Sequence, residues 1–399
     1  MSMFLQAAEN RGFILASPNQ VHDSVSLSNN VLIAQRTIEK ATGLLPVNSS
    51  RIYTGGHQGG GRFANLLPIL IKNIEGVLSI NASLANTELL TGKVRFQHVV
   101  LVDPSNYTYP DVLQDAKILN KLRIPNFILD FKGSGGWPGH ADLEKALWYF
   151  DLAAVKKQSV QIDKTEIEAQ YKAEMDLVRS LRDSGNYLMA EQETMAMIKA
   201  YRLLVDTDSL REHQKLLKKE RGYRSAKRNE NAAFFKESLL REDYVYYLEE
   251  DLLTYNFNNL GWWSYQMQQI KGFKKGDTQA ERRMGERLDG FVNALVDDNI
   301  DVVKSDKSVN EEALVLLLML KTITEPGEMD HYLKVVSLAA KNEDYGTALF
   351  YLEEALKNGF TDAEKLYRLE HTALFRITPE FNTLVTKYLK DARYNLKDE

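Results

Sequence analysis

Hydrophobic and polar positions follow two different patterns along the chain. Up to about Ala154, short apolar runs alternate with longer segments in which apolar residues recur every three or four positions. This alternation is typical of a parallel sheet wrapped by helices. After Val155 the short apolar runs end, and charged segments with helical periodicity continue from Thr165 to the end. The pattern therefore predicts an α/β domain over residues 1–155, followed by an all-helical region.

The first pattern divides into five strands and four helices. The predicted strands are Gly12–Ser17, Arg51–Thr54, Gly76–Ala82, His98–Val102 and Asn126–Phe131. The predicted helices are Leu27–Thr42, Gly59–Lys72, Tyr109–Leu122 and Ala141–Leu152. Strands that alternate with helices favour a parallel sheet.

The helical part ends in a segment with repeat-like spacing. Tyr187 with Ala190, and Tyr345 with Ala348, each place a tyrosine three residues before an alanine at a predicted helix start, and Tyr332 precedes the second pair. These positions resemble the aromatic and small positions of tetratricopeptide repeats, and residues 362–384 resemble the cap that closes such arrays. The two pairs are not separated by a multiple of about 34 residues, so a plain helical bundle is the alternative. The sequence predicts a helical region over 156–328 and tetratricopeptide-like helices over 329–399.

The composition is that of a soluble, folded protein with more than one structural unit. The chain has 399 residues, of which 44% are hydrophobic and 26% are charged. The formal net charge of −5 argues against nucleic acid as a main partner, because phosphate binding needs a dense excess of Lys and Arg. The absence of cysteine excludes disulfides, thiolate nucleophiles and Cys-ligated zinc.

The sequence as written predicts neither a membrane span nor a signal peptide. The longest apolar run, Ala313–Leu320, is much shorter than the roughly 18 to 20 residues that cross a bilayer. Residues 1–12 lack a basic stretch followed by an apolar core. The compartment stays open, and export would be expected if the natural N-terminus is longer.

Charge runs, aromatic clusters and histidines in the helical part favour structural roles. Lys215–Arg228 is the densest basic run and could contact an acidic partner, but acids such as Glu249 balance it, so a solvated helix face is the simpler interpretation. Leu260–Tyr265 gathers three aromatic residues, which we interpret as a packing seam. The seven histidines form no His-x-x-x-His pair, so neither a metal site nor a cofactor is predicted.

The most informative segment is Arg51–Arg62, in which a strand runs into glycines and then into a helix. Gly56 and Gly60 flank Gln58, which is the spacing of the sharp strand-to-helix turn G-x-S-x-G with glutamine in place of serine. A Walker phosphate loop would need a lysine and a hydroxyl residue where an arginine and a phenylalanine stand, and a dinucleotide fingerprint is not in register. A tight turn with no role beyond its geometry stays as an alternative.

Several segments together resemble the esterase-like or polyhydroxybutyrate-depolymerase-like branch of the α/β hydrolases, which can carry tetratricopeptide repeats behind the catalytic domain. The resemblance spans about Phe4 to Leu152. It rests on Gly12–Pro18, Arg51–Leu66, Gly76–Ser79, Asn106–Asp111 and Gly133–Pro138. The resemblance implies an α/β-hydrolase-like fold for residues 1–155, with a serine nucleophile at the apex of the turn, an aspartate and a histidine in two later loops.

Each position that the resemblance implies as catalytic holds a residue that cannot do the chemistry. The nucleophile position is Gln58, the acid position is Asn106 and the histidine position is Gly135. An amide has no nucleophilic oxygen at neutral pH, an asparagine carries no charge to stabilise an imidazolium, and a glycine has no side chain to move a proton. The sequence therefore predicts a non-catalytic protein, and no residue is assigned as catalytic.

Polar and aromatic residues beside these positions are expected to line a former substrate cleft. The predicted lining is His57, Gln58, Asp103, Asn106, Gly135 and Trp137. Asp103 is the best substitute acid, with Asp111 and His140 nearby, but Ser134 belongs to the histidine loop and no substitute nucleophile stands at the turn. An active hydrolase of esters or short peptides with a rearranged site is the alternative hypothesis.

The front of the predicted sheet lacks counterparts of the earlier family strands and of the loop that usually supplies an oxyanion donor. Either the chain is shortened there or the sheet is smaller than the family's. A smaller sheet would have an uncovered edge, where we expect a partner or a covering helix. The leading hypothesis is a binding or scaffold protein in which the helical part docks a protein on a concave surface and the cleft binds a small ligand at most.

Overall fold

The computed structural model describes residues 2–22, 24–132 and 136–390. The chain divides into two compact units between Phe234 and Phe235. None of the helices in these described ranges is both long and apolar enough to cross a lipid bilayer.

The first unit is an α/β unit with additional helices. Its elements are α1 Ser2–Asn10, α2 Leu27–Leu44, β1 Ile52–His57, α3 Gly59–Leu70, β2 Ile74–Ile80, β3 Gln97–Val102, α4 Tyr109–Lys121, β4 Asn126–Asp130, α5 His140–Lys156, α6 Lys164–Asp183, α7 Tyr187–Tyr201 and α8 Asp208–Lys219. Helix α9, Arg221–Thr254, contains the point at which the two units divide.

The four strands form one parallel sheet in the order β1-β2-β3-β4. Four of the five predicted strands are confirmed, and the four predicted helices correspond to α2, α3, α4 and α5. The strand predicted at Gly12–Ser17 is wrong. Phe13 and Leu15 pack against the apolar core, and Phe13 contacts β1 through its ring on Tyr53, with centroids 5.6 Å apart. No ladder of backbone hydrogen bonds joins this segment to a described strand, so it is not a strand of the sheet.

Both faces of the sheet are covered, which explains the continuous apolar sequences of β2, β3 and β4. One face, represented by Leu78, Val99 and Leu129, packs against α1, α5 and the helices that follow. The opposite face carries Val77 and Val100 and packs against α3 and α4. Sheet and helices therefore hold the carboxyl ends of the strands in place, and polar residues follow those ends.

Helices α6 to α8 belong to the same compact unit as the sheet. Met197 and Tyr201 of α7 and Leu210 of α8 lie in the core that covers the sheet. The domain boundary predicted at 155–156 and the second one at 328–329 stay predictions about domain organisation.

The second unit is helical in its described part. After α9 it consists of a 3-10 turn at Phe257–Asn259, α10 Leu260–Phe273, α11 Gln279–Ser305, α12 Glu311–Thr324, α13 Met329–Lys341, α14 Tyr345–Lys357, α15 Ala363–Tyr367, α16 Ala373–Arg376 and α17 Pro379–Leu389. Arg287 of α11 forms a buried ion pair with Glu237 of α9 through its Nε and Nη2, at 2.8 and 2.6 Å. Helices α12, α13 and α14 pack in succession.

The aromatic segment Leu260–Tyr265 is only partly the packing seam that its sequence predicts. Trp263 is buried and donates from Nε1 to Asp251 at 2.8 Å. Trp262 packs on Tyr247, with ring centroids 4.6 Å apart. Tyr265, in contrast, is more than half exposed, so the third aromatic ring lies outside the seam.

Candidate functional site

The turn between β1 and α3 has an unusual backbone at its apex. Gln58 adopts φ 48° and ψ −119°, a conformation that side-chain-bearing residues rarely adopt. Its N–H donates to Ile80 O at 2.9 Å, and its carbonyl accepts from the N–H of Arg62 at 2.9 Å, so the turn is fixed to β2 and to the first turn of α3. The side chain of Gln58 is exposed. The apex therefore presents an amide to solvent from a strained backbone position.

Two glycines make this sharp turn sterically feasible, and they are not both the ones that the motif spacing singled out. A Cβ at Gly56 would overlap the backbone of Gly60, and a Cβ at Gly61 would lie 2.7 Å from the Cβ of Ala82. A Cβ at Gly60, in contrast, would meet no atom within 4 Å. The close approach of β1 to α3 thus requires glycine at positions 56 and 61. Position 60 could hold a side chain, because only its backbone lies against Gly56.

His57, beside the apex, is held by the segment that follows β4. Its ring stacks on Trp137 with centroids 4.2 Å apart and an interplanar angle of 18°, and its Nε2 lies 3.1 Å from Gly136 O. Burial lowers the pKa of His57, and the hydrogen bond to Gly136 opposes this in part. Trp137 also contacts Phe4 of α1, edge to face at 6.3 Å.

Asn81, which no sequence pattern singled out, connects the segments that follow β2, β3 and β4. It directly follows β2, is buried and has a positive φ of 48°. Its Nδ2 donates to Gly136 O at 2.8 Å, and its Oδ1 accepts from the N–H of Asp103 at 2.9 Å. The available signal was a polar residue immediately after a buried strand, the place where ligands bind in parallel α/β sheets.

The side chains of the two candidate acid positions, Asp103 and Asn106, accept hydrogen bonds from residues of their own loop. Asp103 Oδ1 accepts from the N–H of Ser105 at 2.8 Å. Asn106 Oδ1 accepts from the N–H and the hydroxyl of Thr108, at 3.0 and 2.8 Å, which shapes the turn that opens α4. No hydrogen bond or ion pair in the described ranges joins His57 to Asp103 or Asn106. The structure therefore shows no acid–imidazole pair there.

The predicted lining residues thus come together in part. His57, Gln58 and Asp103 lie at the carboxyl ends of β1 and β3, and Trp137 stacks on His57. Gly135 lies outside the described residues.

A buried serine, histidine and asparagine form a second polar cluster. Ser79 Oγ lies 3.2 Å from His98 Nε2, which also lies 3.1 Å from Asn65 Oδ1. These are the residue types of a nucleophilic site, but all three side chains are buried between the sheet and α3. Burial lowers the pKa of His98 to about 4, so its imidazole is neutral near pH 7. We interpret the cluster as an internal connection between β2, β3 and α3.

A cavity of about 390 Å³ lies beside β4 and is lined by residues of α5, α6 and α7. Its buried carboxylate, Glu174, accepts hydrogen bonds from Tyr149 at 2.9 Å and from Tyr201 at 2.7 Å. Burial raises the pKa of Glu174. Glu193 forms an ion pair with Lys145 in the same cavity. Both carboxylates are therefore satisfied from within the protein.

Among the residues that the structure describes, no group of three or more His, Asp or Glu side chains is arranged to hold a metal ion. Comparisons with known protein families, with curated proteins and with solved structures found no match to this chain.

Proposed function

We propose that this protein is a non-catalytic relative of the esterase-like α/β hydrolases that acts as a binding or scaffold module. The observation that carries the proposal is the residue at the apex of the β1–α3 turn. Gln58 holds the strained backbone position (φ 48°, ψ −119°) that presents a nucleophile in a nucleophile elbow, yet its side chain is a carboxamide.

The chemistry at this position supports binding rather than acyl transfer. A carboxamide has no nucleophilic oxygen at neutral pH, so no covalent acyl intermediate forms on it. The carboxamide can donate and accept hydrogen bonds, and His57 and Trp137 next to it form a flat, partly buried aromatic surface. These groups suit recognition of a small polar ligand without turnover.

The neighbouring residues do not restore catalysis. His57 is stacked on Trp137 and bonded to the carbonyl of Gly136, and the carboxylate of Asp103 bonds to its own loop. An active hydrolase would need a base that accepts a proton from a nucleophile and an acid that orients the base. The arrangement supports neither role, and hydrolysis by a rearranged site is the result that would refute the proposal.

The helical part is proposed to dock a protein partner, with tetratricopeptide-like packing in α13 and α14. The supporting observation is the burial of the small and aromatic positions that the spacing singled out. Tyr332 and Ala348 are buried, Tyr345 is half-buried, and Tyr332 lies near Tyr351 with ring centroids 6.5 Å apart. Helix pairs that stack in this way form concave surfaces that suit partner recognition.

The test is hydrolysis of p-nitrophenyl esters of increasing acyl length by the full-length protein. We expect a rate equal to that of an equal concentration of an inert protein, and no change in that rate for His57→Ala or Asp103→Ala. The matched gain-of-function variant is Gln58→Ser with Asn106→Asp and Gly135→His, for which we expect little activity because the three introduced side chains add no hydrogen-bond donor for an oxyanion. A turnover rate of the natural sequence that falls in His57→Ala or Asp103→Ala contradicts the proposal.

A further inference from the structure

The cavity beside β4 has the size and the position of a small-molecule site. Its volume of about 390 Å³ lies within the range of about 300–1,000 Å³ that such sites span. Leu101 and Leu129 line it near the carboxyl ends of β3 and β4, and parallel α/β sheets bind ligands outside these ends. Neither His57 nor Gln58 lines the cavity, so it is separate from the site at the β1–α3 turn.

The described lining of the cavity combines apolar side chains with an excess of acidic ones. The apolar side chains are Leu101, Leu129, Phe131, Leu177, Leu181 and Met189. The charged side chains are Asp130, Asp142, Glu174, Glu193, Lys132 and Lys145. Four carboxylates against two ammonium groups give a formal charge of −2, and Lys132 is exposed. The lining therefore suits a ligand that joins a positive charge to an apolar group.

Glu174 presents a carboxylate whose position is fixed by neutral groups. Its side chain is buried, and it accepts hydrogen bonds from the hydroxyls of Tyr149 at 2.9 Å and Tyr201 at 2.7 Å. Trp148 Nε1 in turn donates to the hydroxyl of Tyr201 at 2.9 Å. These hydrogen bonds hold and orient the carboxylate, but hydroxyl groups do not neutralise its charge.

The ammonium group of Lys145 is shared among several carboxylates. It forms an ion pair with Glu193. Burial raises the pKa of Glu174 and that of Asp142, and the carboxylate of Glu193 adds to the rise, whereas Lys145 opposes it. The balance disfavours the ionised form of both carboxylates, and a second cation in the cavity would favour it.

The cation that fits this lining is an organic one. Among the residues that the structure describes, the carboxylates are not arranged as a group that could hold a metal ion. Apolar side chains such as Leu177 and Met189 offer no ligand atoms to a hard cation, but they can contact a hydrocarbon chain. A primary ammonium group has three N–H donors and forms charge-assisted hydrogen bonds with carboxylates.

We propose that the cavity between α5, α6 and α7 binds a small primary amine, with its ammonium group at Glu174 and its apolar chain against Leu177 and Met189. The carboxylate of Glu174 is already oriented by Tyr149 and Tyr201, so the amine meets a fixed acceptor. This inference concerns a second site and does not depend on the proposed function. Its failure would leave the assignment of the β1–α3 turn unchanged.

The test is isothermal titration calorimetry of the full-length protein with three ligands that have the same hydrocarbon chain. The ligands are n-hexylamine, hexan-1-ol and sodium hexanoate, each titrated near pH 7. We expect n-hexylamine to bind about tenfold more tightly than hexan-1-ol, because only the amine forms a charge-assisted hydrogen bond with the carboxylate. Hexanoate should show no binding, because its charge has the same sign as the excess in the lining.

Two charge variants should change the affinity for the amine in opposite directions. Glu174→Gln should lose the preference for n-hexylamine over hexan-1-ol. Lys145→Met removes the competing ammonium group and should bind n-hexylamine about tenfold more tightly. The matched control is Glu168→Gln, since Glu168 lies on the same helix, is exposed and pairs only with Lys164 at 3.4 Å. This control should bind all three ligands as the natural protein does.

A third variant keeps the proposal testable if Glu174→Gln is not folded by circular dichroism. Leu177 lines the cavity but is 43% exposed, so Leu177→Trp adds volume there without disturbing the core, and it should abolish binding of n-hexylamine. Three results would overturn the proposal: n-hexylamine that binds no more tightly than hexan-1-ol, a folded Glu174→Gln variant that keeps the preference, or a Leu177→Trp variant that binds the amine as the natural protein does.

Discussion

Replacement of Gln58 by glycine should stabilise the first unit, although the same change costs stability at most positions. Gln58 lies at φ 48° and ψ −119°, and holding a residue with a side chain in such a sparsely populated region costs about 1–3 kcal/mol. Glycine has no Cβ and adopts this conformation readily, but it loses more backbone entropy on folding, which costs about 0.5–1 kcal/mol. The net expectation is a gain of about 0.5–2 kcal/mol.

The side chain of Gln58 contributes little to offset this gain. It is exposed, and its carboxamide makes no capping hydrogen bond to the first turn of α3. Gln58→Ala is therefore the matched control, because it removes the amide and keeps the strained backbone. We expect Gln58→Ala to change the free energy of unfolding by less than about 0.5 kcal/mol.

The assay is urea and thermal unfolding followed by circular dichroism. A gain of 1 kcal/mol should raise the Tm of a unit of this size by about 2–4 °C. A Gln58→Gly variant that is less stable than Gln58→Ala would refute the reasoning, because it would mean that the backbone at the apex is not strained. The hypothesis that the turn is a nucleophile elbow without its nucleophile would then lose its main support.

Four further substitutions test the packing of the sheet and its strand ends by the same unfolding measurements. Gly56→Ala should destabilise the protein by about 3 kcal/mol or more, because its Cβ overlaps the backbone of Gly60. Gly60→Ala should be neutral or stabilise the protein by up to about 1 kcal/mol, because its Cβ meets no atom. Equal effects of the two variants would contradict the close approach of β1 to α3. Asn81→Ala should cost about 1–3 kcal/mol, because it removes a buried side chain that bonds to the part-buried Gly136 carbonyl and Asp103 N–H. A neutral change would show that water replaces the side chain. Burial lowers the pKa of His98 to about 4 from its ordinary 6.5, so the free energy of unfolding should fall by about 3 kcal/mol as the pH falls from 6.5 towards 4. His98→Asn should reduce this pH dependence. A variant with the pH profile of the natural protein would contradict the assignment of the effect to His98.

Local patterns in the sequence predicted most elements of the first unit, because their signals are strong over short windows. β2, β3 and β4 are buried on both faces and read as near-continuous apolar runs, and α3 to α5 have clear helical periodicity. Gly12–Ser17 has the same apolar composition but is not a strand, because a strand exists only where another strand supplies hydrogen bonds. Its pairing depends on chain that is distant in sequence, which a local pattern does not contain.

The sequence predicted the candidate site only where steric overlap with a neighbouring backbone or side chain requires glycine. The glycine spacing around Gln58 identified the sharp turn, since few other residues tolerate so close an approach of strand and helix. Asn81 and the cluster of Ser79, His98 and Asn65 were missed, because their hydrogen bonds join segments that lie 18 to 55 residues apart in sequence. Such contacts become visible only when the sheet brings the strands together.

Labelling the natural protein with an excess of a fluorophosphonate and measuring its intact mass tests directly whether any residue at the β1–α3 turn acts as a nucleophile. We expect an unmodified mass, because Gln58 presents a carboxamide where such reagents need an activated hydroxyl. A stoichiometric adduct that maps to residues beside the turn, and that disappears in His57→Ala, would contradict it.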